Sequence, residues 1–156
     1  MPQKQPPYKA PDFSLIDSEG ERRNLADYKG KWLVLYFYPE DDTPGCTIEA
    51  CSLRDSRDDI VALGAEVVGI SRDNPTSHEN FKAKHSLNFT LLCDPDVRVH
   101  MAYGAWGKKM FGQEGVLRKT FLIDPGGVVR KVYGRVNVVG HGERIVSDLK
   151  QLQADS

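Results

Sequence analysis

Cys46 is the residue of this sequence whose type and position best suit nucleophilic chemistry. It follows Thr43, Pro44 and Gly45, and a capping residue followed by proline predicts the start of a helix. Cys46 would lie in the first turn, where unpaired backbone N–H groups and the helix dipole favour a thiolate over a thiol. The sequence therefore predicts a nucleophilic cysteine. The alternative is a small, buried and unreactive cysteine.

The segment before this helix start predicts a buried strand. Residues 32–38 are continuously aromatic and aliphatic, which is typical of a strand that is covered on both faces. Pro39 ends the run, because proline cannot continue a central strand. Cys46 is thus expected at a turn that leads from a buried strand into a helix.

Further predicted elements place this turn in an α/β domain. A hairpin over residues 13–25 turns near Gly20 and is expected at the periphery, and a single helical turn at 25–30 precedes the buried strand. The later strands are predicted at 66–71, 89–93, 117–124 and 128–133, and the later helices at 74–85, 96–103 and 141–153. This alternation predicts a mixed central sheet flanked by helices, in a single domain over residues 1–156.

Composition excludes several classes of protein. The chain has 156 residues, 40% of them hydrophobic and 28% charged, with a net charge of −1, so neither disorder nor a nucleic-acid-binding surface is indicated. The proline-rich start has no apolar core for a signal peptide, and no run is long enough to span a membrane. Three cysteines make a poor disulfide framework. We expect a cytoplasmic protein, or the mature form of an organelle protein.

The residues around Cys46 resemble a known family. The spacing Pro39-x-x-x-Thr43-x-x-Cys46 is similar to the active-site signature of the peroxiredoxins, thiol peroxidases that reduce hydroperoxides. The string from Tyr38 to Thr47, followed by Cys51, resembles their Q-type, or bacterioferritin-comigratory-protein, branch. The resemblance extends over nearly the whole chain, including residues 10–13, 103–107 and 118–124.

This resemblance implies a fold, a reaction and partners. The fold would be thioredoxin-like, Cys46 would attack the peroxide, and Cys51 would resolve the product as a disulfide. Thioredoxin or a glutaredoxin-like dithiol protein would reduce that disulfide, and no organic cofactor would be needed. The Q-type branch also implies a monomer. Glu40 departs from the lysine of many relatives, and we expect it to point to solvent because an acid beside the sulfur would oppose the thiolate.

Two polar residues are the candidate partners of the peroxide. The context of Arg118, Arg118-x-Thr120-Phe121, resembles that of the family's active-site arginine, whose cation would stabilise the sulfur anion and the charge that develops on oxygen. An exposed strand arginine is the alternative. Thr43 is expected to hydrogen-bond the peroxide through its hydroxyl, the alternative being a turn and cap residue.

Three more residues are expected to build the pocket. Pro39 and Pro44 would shape it and shield the sulfur. Glu49 follows Cys46 on the same predicted helix and would either hold Arg118 or simply be a favourable acid near a helix N-terminus.

The spacing of Cys46 and Cys51 predicts a conformational change. Residues five apart on an α-helix have Cα atoms separated by roughly 8–9 Å and directions about 140° apart. A disulfide tolerates less than about 7 Å. If the two cysteines bond, the helix must unwind between them, and the cycle must alternate a folded reduced state with a locally unfolded oxidised state.

The remaining cysteine and the histidines predict no further site. Cys93 ends a predicted strand without a motif around it, so we expect a structural residue. His78, His85, His100 and His141 show no metal-ligand spacing, and no metal is predicted.

Two other functional classes stay open. A disulfide oxidoreductase would share the fold, but its motif is Cys-x-x-Cys rather than the Cys-x-x-x-x-Cys of this chain. A redox-sensing protein would use the same cysteines without rapid turnover, so the rate of reaction with peroxide discriminates it from a peroxidase.

Overall fold

The computed structural model describes residues 3–155, in which ten strands and four α-helices are found. The strands are β1 (Tyr8–Lys9), β2 (Ser14–Asp17), β3 (Arg22–Asn24), β4 (Trp32–Phe37), β5 (Ala65–Ser71), β6 (Thr90–Cys93), β7 (Trp106–Lys108), β8 (Glu114–Val116), β9 (Lys119–Ile123) and β10 (Val128–Tyr133). The helices are α1 (Pro44–Ala62), α2 (Pro75–His85), α3 (Arg98–Ala102) and α4 (His141–Ala154). Met1, Pro2 and Ser156 of the predicted domain lie outside the described residues.

A mixed sheet forms the centre of the fold. Its strand order is β1-β10-β9-β4-β5-β6-β2-β3, while β7 pairs with β8 in a separate hairpin. Strands β4, β5 and β6 run parallel, and the other neighbours run antiparallel. The predicted mixed α/β sheet is therefore confirmed.

Strand β4 is buried on both faces, as its apolar run predicts. Its even-numbered residues lie in the core shared with α1 and α4, and its odd-numbered residues lie in the core on the opposite face. The alternation is Trp32, Val34 and Tyr36 on one face and Leu33, Leu35 and Phe37 on the other. Strand β4 lies between β5 and β9. Because β9 runs antiparallel to β4, the end of β4 lies beside the start of β9.

Helix α1 begins where the sequence predicts. Thr43 is the N-cap in extended conformation and Pro44 is the first helical residue. The side chain of Thr43 makes no capping bond, however, and its hydroxyl donates instead to the carbonyl oxygen of Glu40 at 2.9 Å. At the other end Gly64 takes a positive φ of 75°, which terminates the helix after Leu63.

Close packing places the start of α4 against α1. The backbone N–H of Gly142 donates to Ser52 Oγ at 2.8 Å. A side chain at this position would clash with the carbonyl oxygen of Ser52 and with Ser56 Oγ. Glycine is therefore required here, and it brings the preceding residue, His141, onto the first half of α1.

Some predicted boundaries were wrong. The helix predicted from residue 96 begins at Arg98, because Val97 has a left-handed φ of 56°. The strand predicted from residue 117 begins at Lys119, so Arg118 lies just before β9. The predicted N-terminal hairpin, β2–β3, extends the central sheet because β2 pairs with β6.

Strand β1 and the β7–β8 hairpin were not predicted. β1 has only two residues and follows a proline-rich segment, which is too short for a periodic signal. The β7–β8 connection contains a left-handed phenylalanine, Phe111, and polar residues surround its short strands. No helix in residues 3–155 is long and apolar enough to cross a membrane.

Candidate active site

Cys46 lies in the first turn of α1, at the end of the sheet where β4 finishes. It is the third residue of the helix and only 1% of its surface is exposed. Its thiol is free, as are those of Cys51 and Cys93. A guanidinium nitrogen of Arg118, Nη2, donates to Cys46 Sγ at 3.2 Å. The sulfur therefore faces both a helix N-terminus and a fixed cation.

Arg118 bridges Cys46 and Glu49. Its Nη1 donates to Glu49 Oε1 at 2.7 Å while its Nη2 contacts the sulfur. The arginine comes from 72 positions further along the chain, and it reaches α1 because Lys119 next to it pairs with Phe37 of β4. Gly45 leaves the necessary space, since a Cβ atom there would lie 3.3 Å from Nη2. Two contacts thus fix the guanidinium beside the sulfur.

Burial and ion pairing act in opposite directions on Glu49 and Arg118. Burial of the fully enclosed Glu49 raises the pKa of its carboxyl to about 7, and Arg118 only partly offsets this effect. For Arg118, burial lowers the pKa, but the negative charges of Glu49 and Cys46 outweigh it and raise the pKa above its ordinary value. Arg118 is therefore charged at every physiological pH, while Glu49 exchanges its proton near neutrality.

A histidine that no sequence motif marks, His141, lies behind this pair. His141 Nε2 is 2.8 Å from Thr120 Oγ1 and 3.7 Å from Glu49 Oε2. Burial, together with Arg144 and Arg118, lowers the pKa of His141 to about 4, so the ring is neutral. In the sequence, the spacing of Arg118 and Thr120 is the only hint of this contact. Residues two apart on a strand share a face, so Thr120, which contacts His141, is expected on the same face as Arg118.

The residues expected to shape the pocket lie around the start of α1. Thr43 is half-buried and donates its hydroxyl hydrogen to the Glu40 carbonyl, which leaves its oxygen lone pairs available to accept a hydrogen bond. Pro39 is half-buried after β4, and Pro44 is exposed. The Glu40 residue is exposed, as expected for an acid in this position.

Cys51 is held apart from Cys46 in the reduced structure. It is half-buried and lies in the same unbroken helix, where a spacing of five residues separates the Cα atoms by roughly 8–9 Å. The structure therefore brings together Cys46, Arg118 and Glu49, but it does not bring Cys51 within bonding distance of Cys46.

Three potential metal ligands cluster near the loop before α1. Asp41, Asp73 and His78 offer ligand atoms within 4.8 Å of one another. Both ring nitrogens of His78 face hydrogen-bond acceptors, namely Asp41 Oδ2 at 2.7 Å and the Leu92 carbonyl oxygen at 2.9 Å. Neither nitrogen has a free lone pair for a metal, so the cluster fits an ion pair. Cys93 is buried close by, at the end of β6.

We predict that Glu49→Gln removes a pH dependence of stability. The pKa of Glu49 is about 7 in the folded state, above its ordinary 4.5, so the folded state binds the proton more tightly and stability falls as pH rises from about 4.5 to about 7. Glutamine cannot ionise. Between pH 5 and 8 the wild type should lose about 2.5 kcal/mol of its free energy of unfolding relative to Glu49→Gln, as measured by urea unfolding at both pH values.

Comparing the wild type with Glu49→Gln isolates the contribution of Glu49 to the pH dependence of stability. His141, whose pKa is lowered, adds stability as pH rises from about 4 to 6.5, but it does so in both proteins. Glu66→Gln is the matched control, because Glu66 forms surface ion pairs with Lys31 and Arg57. Parallel pH profiles for the wild type and Glu49→Gln would contradict the prediction.

Sequence comparison relates the chain to one family. The AhpC/TSA family model matches residues 6–132. Peroxiredoxin Bcp of Bacillus subtilis strain 168 is 46% identical over 147 residues, which cover 92% of this chain and 94% of that protein. Peroxiredoxin Bcp of Escherichia coli K12 is 42% identical over 145 residues, which cover 91% of this chain and 93% of that protein.

Solved structures give the same relationship. The Xanthomonas campestris bacterioferritin comigratory protein has a TM-score of 0.85 at 37% identity, over 89% of this chain and 90% of its own. A cysteine-to-serine variant of Xylella fastidiosa PrxQ has a TM-score of 0.88 at 32% identity, over 96% and 99% of the two chains. The predicted thioredoxin-like fold is confirmed by these likenesses. The chain belongs to the AhpC/TSA family and, within it, to the Bcp or Q-type peroxiredoxins, which are thiol-dependent peroxidases.

Proposed function

We propose that Cys46 is the peroxidatic cysteine and that it reduces hydrogen peroxide and organic hydroperoxides. The observation that supports this assignment is the position of Arg118, which donates to Cys46 Sγ at 3.2 Å while Glu49 holds its other nitrogen. A fixed cation beside a sulfur at a helix N-terminus favours the thiolate, which is the nucleophilic form. The Xanthomonas campestris relative has alkyl peroxide reduction activity, which supports organic hydroperoxides as substrates.

The first step forms a sulfur–oxygen bond and breaks the oxygen–oxygen bond. The thiolate of Cys46 attacks the terminal peroxide oxygen, and the other oxygen leaves as hydroxide or alkoxide and takes a proton to become water or an alcohol. Arg118 stabilises the negative charge as it passes from sulfur to oxygen. Thr43, whose hydroxyl hydrogen is already donated to Glu40, accepts a hydrogen bond from the peroxide O–H.

The second step makes a disulfide. The thiol of Cys51 attacks the sulfenic acid of Cys46, a sulfur–sulfur bond forms and water is released. Because the helical spacing keeps the two cysteines too far apart, α1 must unwind between them. The hydrogen bond between Ser52 and Gly142 of α4 holds in place the part of α1 that follows Cys51.

The disulfide is then reduced by an external dithiol protein. Thiol–disulfide exchange with thioredoxin, or with a glutaredoxin-like protein, returns both cysteines to the thiol form. We further propose that the chain works as a monomeric single domain in the cytoplasm. The Q-type relationship supports the monomer, and three free thiols suit a reducing compartment.

Steady-state turnover of Cys51→Ser tests the two-cysteine cycle. The assay follows NADPH oxidation with hydrogen peroxide, thioredoxin and thioredoxin reductase. We expect turnover to fall about tenfold or more, because the sulfenic acid of Cys46 can form but has lost the thiol proposed to resolve it. The first oxidation of the enzyme, measured as peroxide consumed in a single turnover, should be retained.

Cys93→Ala is the matched control for this experiment. Cys93 is buried at the end of β6, so its variant should keep most of the turnover. If Cys51→Ser retains turnover while Cys93→Ala loses it, Cys93 is the resolving cysteine and the proposed cycle is wrong.

A further inference from the structure

We propose that Asp41 and His78 are positioning residues, which hold the loop between β4 and α1 in the form that reacts with peroxide. The loop comprises residues 38–43 and carries Pro39 and Thr43. The proposal rests on the function proposed above, in which these two residues form the peroxide pocket. It concerns residues that contact neither the peroxide nor the sulfur.

The loop has a strained backbone that its neighbours must hold. Asp42 has a left-handed φ of 57°, a conformation that a residue other than glycine seldom adopts. Its side chain pairs with Lys84 and His85, but these contacts are exposed to solvent, where ion pairs contribute little. A buried anchor is therefore needed to keep the loop in one conformation.

Asp41 provides that anchor. Its Oδ1 accepts the hydroxyl hydrogen of Tyr38 at 2.6 Å, and its Oδ2 accepts from Ser77 Oγ at 2.8 Å and from His78 Nδ1 at 2.7 Å. Its backbone N–H donates to Asp73 Oδ2 at 2.8 Å. One buried residue thus closes the loop on its own first residue, Tyr38, and ties it to the β5–α2 turn and to α2.

His78 extends the anchor to the neighbouring strand β6. Its Nδ1 faces a carboxylate and its Nε2 faces the Leu92 carbonyl oxygen at 2.9 Å. Both partners can only accept, so both nitrogens donate and the ring is an imidazolium. Burial lowers the pKa of His78, but the bond to Asp41 and the neighbouring Cys93 outweigh it and raise the pKa to about 10.

The ion pair between Asp41 and His78 restricts the loop, because neither buried charge is stable without the other. The side chains of His78 and Asp41 are 0% and 3% exposed. Separating them would leave an unpaired charge in the protein interior, which is strongly unfavourable because that charge would lose its partner without regaining water. The loop is therefore held in a single position, and with it Pro39 and Thr43.

The variant that tests this role is Asp41→Ala. Displacing a reacting group by about 1 Å can cost 100-fold in rate, so we expect the second-order rate constant for oxidation of Cys46 by hydrogen peroxide to fall between about 10- and 100-fold. The rate is measured by rapid quench and mass spectrometry. The thiolate absorbance of Cys46 should stay near the wild-type value, because Arg118 and the helix N-terminus are unchanged.

A conservative variant separates hydrogen bonding from charge. In Asp41→Asn the amide oxygen can accept from Tyr38, and the amide nitrogen can donate to Ser77 Oγ and to Nδ1 of a neutral His78. The anchor keeps its geometry without its charges. We expect Asp41→Asn to recover the oxidation rate to within about threefold of the wild type.

Asp94 supplies a matched control. Asp94 Oδ2 and His100 Nδ1 form a second fully buried pair at 2.6 Å, whose side-chain hydrogen bonds do not reach residues 38–43. Asp94→Ala should lower the thermal midpoint about as much as Asp41→Ala but keep the oxidation rate. A wild-type rate in Asp41→Ala, or an equal loss of rate in both variants, would overturn the proposal.

Two further measurements keep the test decisive. If Asp41→Ala does not fold, Ser77→Ala removes one of the three bonds to the carboxylate, and we expect a loss of about threefold in the same rate constant. An unchanged rate in Ser77→Ala would then count against the proposal. If the oxidised residue of the wild type is not Cys46, the proposed function fails, independently of Asp41.

Discussion

Cys46→Ser should react with hydrogen peroxide at least about 10³-fold more slowly than the wild type, since a serine hydroxyl stays un-ionised where a cysteine forms the nucleophilic thiolate. Serine is close to cysteine in size and can keep the hydrogen bond from Arg118. The variant should therefore fold normally. Peroxide consumption in the thioredoxin-coupled assay and in a single turnover are the two measurements.

The control for this result is the other buried cysteine. Cys93→Ala should keep its reaction with peroxide, because Cys93 is buried at the end of β6 and the guanidinium of Arg118 lies on Cys46 instead. Full peroxidase activity in Cys46→Ser would show that the reactive sulfur lies elsewhere, and the assignment of the active site would be wrong.

Arg118→Ala should lower the second-order rate constant for peroxide about 10²- to 10³-fold, the range found when one donor to a developing anion is removed. The arginine is the cation on the sulfur, so its removal leaves the negative charge that passes from sulfur to oxygen without a fixed partner. Glu49 would be left without its partner, and its carboxyl would take up a proton because burial already raises its pKa.

Two variants define the role of the guanidinium. Arg118→Lys should recover only part of the rate, because a single ammonium cannot bridge Glu49 and Cys46 as the planar fork does. Arg130→Ala is the matched control, since Arg130 is a partly buried strand arginine paired with Asp124. A wild-type rate in Arg118→Ala would show that the cation is structural.

Local signals in the sequence were sufficient to predict the turn that carries Cys46. The apolar run to Tyr38, the break at Pro39 and the Thr43–Pro44 start each restrict the conformation of adjacent residues, so no distant contact was needed. The alternation of strands and helices predicted the mixed sheet for the same reason.

Contacts between distant residues could not be predicted from these signals. The pattern around Arg118 fits an exposed strand arginine equally well, and only the resemblance to peroxiredoxins selected it. Asp41 lies in an acidic stretch, Glu40 to Asp42, which is typical of a solvated turn, and it is buried only because α2 packs over the loop. His141 approaches Glu49 through the packing of α4 at Gly142.

Mass spectrometry after one equivalent of hydrogen peroxide identifies the oxidised sulfur and tests the role of Cys46 most directly. We expect a disulfide that joins Cys46 to Cys51 in the wild type. In Cys51→Ser we expect a dimedone adduct of the sulfenic acid on Cys46. A disulfide that includes Cys93, or a dimedone adduct on Cys93 in Cys51→Ser, would show that Cys46 and Cys51 do not form the proposed pair.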